Sequence, residues 1–238
     1  MGQIAAGLLS NIYQEIPNEV IRPPLALSVK STTDLSARLA TREETSTPVD
    51  SVVIIQVSRM EPWKGHRLHL EALRRLKDLP GWTCWLVGGP QRPVEMQYLD
   101  DLKATAARYG IADRVCFLGQ RQDVGRLLHA ADVFCQPNVG PEPFGQVFVE
   151  ALSAGLPIVT TAIGGGLEIV DSSCGLLTRP NDPVALADAL RRFVTDSVFR
   201  SRLSDAAPAR AKELCEPFRQ LQRLAEAIDK TVRRGRIA

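Results

Sequence analysis

No apolar run in the 238 residues approaches the ~20 that a membrane-spanning helix needs, and no basic flank with a long apolar core opens the chain. Neither a span nor a signal peptide is expected. The five cysteines include no Cys-x-x-Cys pair, and Cys84, Cys116 and Cys135 fall inside apolar runs. They read as buried small hydrophobes in a reducing compartment, which makes the chain cytoplasmic. Charge of one sign is scarce too. Twenty-nine Lys and Arg against 27 Asp and Glu leave +2, too little to suggest nucleic acid as a partner. The surplus lies late, in Lys230, Arg233, Arg234 and Arg236, which read as a solvated helix end that could also touch an anionic membrane surface. No Gly-x-Gly-x-x-Gly follows the first strand, which argues against a dehydrogenase, and no Gly-x-Ser-x-Gly elbow marks a hydrolase. His66 and His69 are spaced for one helix face but lack a third ligand, so they are taken as structural and no metal is expected.

What is present is an ordinary globular composition, 45% hydrophobic and 24% charged, long for one domain and short for two. Residues 1–24 offer a short helix at about 4–13 and an extended piece, Asn18-Glu-Val-Ile-Arg-Pro-Pro24, stopped by two prolines. Residues 25–50 are polar with little periodicity and are assigned as a linker or mobile loop. From Asp50 onward short apolar runs at 51–57, 83–87, 114–118, 132–136, 157–161 and 175–178 alternate with helical stretches near 66–78, 93–109, 123–130, 145–154, 164–170 and 183–194. Near-continuous apolar strands separated by helices imply a parallel sheet buried on both faces, because only a crossover helix returns the chain to start a parallel neighbour. The expected fold is α/β, a doubly wound, Rossmann-like domain over 51–205 with a helical extension over 206–238, interrupted near Pro208 and Pro217.

Ligands of such sheets bind beyond the carboxyl ends of the strands, so motifs are judged by where they fall. Arg59 and Lys64 stand between the first strand and its helix, two fixed cations suited to a diphosphate. Val87-Gly-Gly-Pro90 gives a close-approach turn after the second strand, with Gly88 inside it, and Gly119 with its polar followers offers a backbone for a planar base after the third. The stretch 140–155 places Phe144 and Gly145 at a helix start, where unpaired N–H groups favour phosphate, between Glu142 in the loop and Glu150 on the helix. A carboxylate there can take both vicinal hydroxyls of a ribose, or a sugar hydroxyl. Ala162-Ile-Gly-Gly-Gly-Leu-Glu168 repeats the glycine-then-helix device after the fifth strand. Trp63, Trp82 and Trp85 are read as packing residues, Trp63 bordering the site.

Over about 51–192 these motifs together resemble the C-terminal, donor-binding domain of the GT-B fold retaining glycosyltransferases of family 4, the glycosyl transferases group 1. The resemblance is carried by Glu142-x7-Glu150 followed by Ala151-Leu-x-Ala-Gly-Leu-Pro-Ile-Val159, with Arg59-x4-Lys64-Gly65, Leu86-Val-Gly-Gly89, Val115-x-Phe-Leu-Gly119, Ala131-Asp-Val133 and Gly164-Gly-x2-Glu168. It implies that Arg59 and Lys64 hold the donor diphosphate, that Glu150 holds the ribose hydroxyls, that Glu142 lies beside the donor sugar, and that Phe144 and Gly145 approach sugar and phosphate. It implies a nucleotide diphosphate sugar as donor substrate, with no cofactor and no metal. It also implies a first, acceptor-binding domain of which residues 1–24 are at most a remnant, and a C-terminal helix from about 217 to 234 that crosses back onto that domain. The expectation is therefore the donor half of a retaining glycosyltransferase, a fragment or a chain that pairs with a separate N-terminal subunit. A non-catalytic nucleotide-sugar-binding or partner-binding module, and a GT-B nucleotide-sugar epimerase fragment, are the alternatives.

Overall fold

The structure, a computed structural model, describes residues 21–22 and 35–235. The helix expected at 4–13, and the 18–24 segment apart from residues 21 and 22, lie outside the described residues. Among the described residues the six strands are β1 (Val52–Val57), β2 (Trp82–Val87), β3 (Val115–Gly119), β4 (Val133–Gln136), β5 (Ile158–Thr161) and β6 (Gly175–Thr178). Between them run α2 (His66–Arg74), α3 (Pro93–Tyr109), α4 (Val124–Ala130), α5 (Gln146–Ser153), α6 (Gly166–Ile169) and, after β6, α7 (Pro183–Thr195). The helix α1 (Leu35–Glu44) precedes the sheet, and α8 (Ser197–Cys215) and α9 (Pro217–Gly235) follow it.

All strand pairs are parallel, in the order β3-β2-β1-β4-β5-β6, so the chain winds outward in one direction from β1 and then outward in the other from β4. Successive side chains of β1 alternate between two cores. Val52 and Ile54 join Leu70, Leu73, Leu102, Leu190 and Phe193 on one face, while Val53 and Ile55 join Leu127, Phe148, Leu152 and Leu214 on the other. Fully burying one such side chain contributes roughly 1.5–3 kcal/mol. A strand covered on both faces gains this at every position, which is why β1 reads as an apolar run without alternation. Cys84, Cys135, Cys174 and Cys215 are buried and Cys116 half-buried, all as free thiols that burial pushes above the usual range.

Two expectations are corrected. The 25–50 linker contains α1, held to the domain by charge rather than by an apolar stripe. Arg42, only 2% exposed, donates to the carbonyls of Ala130, Val49 and Ser51, and its Nη2 meets Asp132 at 2.7 Å. Arg38, one turn earlier, meets the other oxygen of Asp132 at 2.6 Å. Asp132 also accepts the β1 amide of Val53 at 2.7 Å, which ties the helix to the first strand. The expected break at Pro208 is absent, for the proline lies inside α8. Losing one backbone hydrogen bond there is offset by the buried Phe199, Leu203, Ala207, Ala211 and Leu214 along the helix. The chain does turn at Pro217, where the Glu216 carboxylate caps α9 by accepting from the amides of Phe218 and Arg219.

Candidate functional site

Strand order reverses between β1 and β4, so the loops leaving these two strands flank the crevice where this topology places ligands. The β1 loop makes a tight turn. Lys64 N donates to Glu61 O and Gly65 N to Pro62 O, and Gly65 takes φ +78° with its Cα against the β4 loop. A Cβ on Gly65 would stand 1.8 Å from Pro137 O, so only glycine permits this approach. Gln56, buried at the end of β1, donates to Lys64 O at 3.0 Å and fixes the turn from below.

The turn delivers Lys64 to Glu142. Lys64 Nζ and Glu142 Oε2 are 2.6 Å apart, with side chains 12% and 11% exposed. The same oxygen accepts Gln136 Nε2 and Asn138 Nδ2, each at 3.4 Å. Three donors thus grip Oε2, while Oε1 has no partner among the described residues. Such a carboxylate is fixed in orientation and still presents one acceptor. The 141–144 backbone around it rests on the glycine turn after β5. Gly165 N donates to Glu142 O at 2.7 Å, and a Cβ on Gly164 would meet Glu142 N at 2.5 Å. The glycines of this turn therefore seat the acidic loop.

Gly145 at φ +83° begins α5, and no side chain caps that helix start. Its first N–H groups and the positive end of the dipole remain for an anion. Phe144 and Gly145 stand where expected, between the two carboxylates. The expected second anion-binding helix start is weaker, because α6 is a single turn of four residues and its dipoles sum over little length. Glu150, on α5, is half-buried and accepts Gln146 Nε2 at 3.1 Å. Burial raises its carboxyl above the ordinary range, opposed by that hydrogen bond. The two acids have separate partners.

Arg59 lies on a second part of the crevice, a cleft of about 230 Å³ lined by Ser58, Arg59, Gly88, Gly89, Gln120 and Arg121. Gly88, at φ +138°, comes so close to β1 that a Cβ would meet Ser58 O at 1.9 Å, and its amide donates to Gly119 O at 2.8 Å. Gly119 thus holds the cleft floor rather than lining it. Arg121 is fastened outward on Asp123 and Glu44, at 2.7 and 2.8 Å.

The link between the two parts is the Glu61–Trp63 pair. Glu61 Oε2 stands 3.1 Å from Arg59 Nη2 and accepts Trp63 Nε1 at 3.0 Å. The Trp63 ring lies under Lys64, its centroid 3.9 Å from Nζ. Glu61, Gln136 and Asn138 were not picked out from the sequence. Their signal was polar residues at the ends of apolar strands and an acid two residues after Arg59. His66 and His69 sit in the layer beneath: His66 Nε2 meets Ser58 Oγ at 3.1 Å, and His69 Nδ1 meets Gln56 Oε1 at 2.8 Å. Desolvation pushes His66 down to about 4 and His69 to about 3, so both are neutral. Among the described residues no cluster of three His, Cys, Asp or Glu could hold a metal ion, and no helix is long and apolar enough to cross a membrane.

The sequence and the fold have known counterparts. The profile of the family described as "Glycosyl transferases group 1" matches residues 38–210. A D-inositol 3-phosphate glycosyltransferase of Stackebrandtia nassauensis is 33% identical over 212 residues, covering 85% of this chain and 47% of the relative. Among solved structures, Anabaena HepE in complex with UDP and glucose superposes with a TM-score of 0.82 at 30% identity, over 89% of this chain and 57% of that one. The C-terminal domain of a glycosyl transferase group 1 family protein, LpcC from Francisella tularensis, shares the fold with a TM-score of 0.68 at 20% identity, over 79% of this chain and 95% of that one. The chain spans about half the length of the curated relatives it matches.

Proposed function

The chain belongs to the glycosyl transferases group 1 family, and from that premise we propose that it is the C-terminal, donor-binding half of a retaining, family 4 GT-B glycosyltransferase. The reaction moves a sugar from a nucleoside-diphosphate sugar to an acceptor hydroxyl. The observation that carries this reading is the Lys64–Glu142 pair at the switch point, with one carboxylate oxygen gripped by three donors and the other left to accept. A sugar hydroxyl donates to Glu142 Oε1. Lys64 and Arg59 face the diphosphate, and the uncapped start of α5, with Phe144 and Gly145, adds backbone donors. Glu150 takes the ribose hydroxyls, and the base lies in the cleft by Gly88 and Gly119.

When the anomeric bond breaks, the diphosphate leaves with the electron pair. The charge that develops on it is stabilised by Arg59, Lys64 and the helix start, all fixed beforehand. In this reading the cations do the work of a metal. The acceptor and part of the machinery come from an N-terminal domain, in the same longer protein or in a separate subunit. Two features support that partner: the half-length match, and α9, whose Phe218, Leu221, Leu224, Ile228 and Val232 form an exposed apolar stripe. The amide of Arg22 donates to Gln220 on α9 at 3.2 Å, at the base of the same helix.

Calorimetric titration of the chain with UDP, GDP and their sugars tests the reading. Binding of a nucleoside diphosphate is expected, with sugar transfer only when the N-terminal half is supplied. Failure to bind either nucleotide by a folded chain would refute the site. Binding without transfer, even with that half present, would favour the alternative of a non-catalytic nucleotide-sugar-binding module, which the half-length match also fits.

A further inference from the structure

We infer that Trp63 is a positioning residue that presets both diphosphate-facing cations, an inference that rests on the reading of Arg59 and Lys64 proposed above. Three contacts meet on this residue, two on its side chain and one on its backbone. Its indole N–H donates to Glu61 at 3.0 Å, and the same Glu61 oxygen stands 3.1 Å from Arg59 Nη2. Its ring face carries the Lys64 ammonium at 3.9 Å. Its carbonyl accepts Val139 N at 2.9 Å and Gly140 N at 3.4 Å, the start of the loop that bears Glu142. One residue therefore touches Lys64 directly, reaches Arg59 through one carboxylate, and anchors the opposite loop. Gly140 is the close-approach point, since a Cβ there would lie 3.3 Å from Trp63 Cβ.

The physical need is plain. A lysine carries four rotatable bonds, and an arginine 56% exposed, as Arg59 is, has much freedom to lose on binding. Restraining both before the ligand arrives moves that cost into folding, and the bound diphosphate then gains the full electrostatic attraction. The ring quadrupole holds the ammonium over its face without consuming the N–H donors that a phosphate needs. A carboxylate alone would hold the lysine but would also cancel its charge. Trp63 lets Lys64 be shared between Glu142 and an incoming anion.

The test titrates the full 238-residue chain and its variants with UDP and uridine, and in parallel with GDP and guanosine. Trp63→Leu is expected to weaken the diphosphate on the order of three- to thirty-fold, the range of a cation–π contact, and to leave the nucleoside unchanged. Trp63→Phe, which keeps an aromatic ring for Lys64 but loses the pyrrole ring with its N–H to Glu61, should recover part of that loss. Wild-type diphosphate affinity in Trp63→Leu, or an equal loss for diphosphate and nucleoside, overturns the inference. Lys64→Ala separates it from the reading beneath it. If Lys64→Ala leaves the diphosphate-to-nucleoside ratio unchanged, the phosphate assignment itself fails; if it collapses that ratio and Trp63→Leu does not, only the positioning role fails. Fluorescence of the unmodified chain gives a second readout should Trp63→Leu not fold. Trp82 and Trp85 are buried at 2% and 0% exposure, and a saturable change that Trp63→Phe abolishes belongs to Trp63. It should appear with UDP and not with uridine, and its absence under saturating UDP overturns the inference.

Discussion

Replacing Lys64 by methionine tests the central pair through stability alone, without any ligand. The two charged atoms are 2.6 Å apart and both side chains are almost nine-tenths buried, so little water remains to solvate a carboxylate that loses its cation. Breaking a fully buried pair costs about 3–5 kcal/mol, mostly the penalty of the stranded charge. Glu142 keeps Gln136 and Asn138 at 3.4 Å as weak donors, and neither side chain is fully buried, which places Lys64→Met below that range, at about 2–3 kcal/mol. In a chain of this size that is a fall of roughly 4–12 °C in melting temperature. Glu142→Gln should cost less than about 1 kcal/mol, because the lysine stem can carry its ammonium outward to water. The double variant Lys64→Met/Glu142→Gln should recover most of the Lys64→Met loss. Urea unfolding of the four proteins measures the cycle. A Lys64→Met cost below about 0.5 kcal/mol, the level of a solvated surface pair, would refute the claim that this carboxylate is desolvated and gripped. So would a double variant no more stable than the single one.

Glu150→Ala should cost nucleoside diphosphates about 1.5–3 kcal/mol, and 2′-deoxy-UDP should show a deficit against UDP in the parent chain but none in the variant. Equal discrimination in both proteins would remove Glu150 from the ribose. The buried histidines predict a pH dependence whose sign is fixed. Burial holds His66 at about 4 and His69 at about 3 in the folded state, below the ~6.5 of an unfolded chain. The unfolded state therefore binds more protons, and stability is complete above pH ~6.5 and falls as pH drops toward 4, by up to about 1.4 kcal/mol per unit for each histidine. Melting temperatures of the parent and of His69→Gln between pH 7 and 5 check this, with the shallower slope expected in the variant.

The sheet was legible because its signal is local. Every strand of the order β3-β2-β1-β4-β5-β6 appears as an apolar run within one residue of its observed start, since burial in the sheet leaves few positions for polar residues. Helix α1 was not legible for the converse reason. Its docking depends on Arg38 and Arg42 reaching Asp132, ninety and more residues away, and hydrophobic periodicity is silent about a helix held by charge. The same division runs through the candidate site. Arg59, Lys64, Glu142 and Glu150 stood out as charges at strand ends and a helix start, yet a list of charges does not say which are paired. The pairing matters because Arg59 on Glu61 and Lys64 on Glu142 make two cations and two carboxylates, a set with no net charge. A strand-end count of cations alone overstates the pull on a diphosphate. The attraction depends instead on geometry: on Glu142 being gripped through one oxygen, on Trp63 keeping Lys64 within reach, and on the α5 amides left uncapped by Gly145. The first of these arises from a contact between the β1 and β4 loops, which meet only after the sheet has formed.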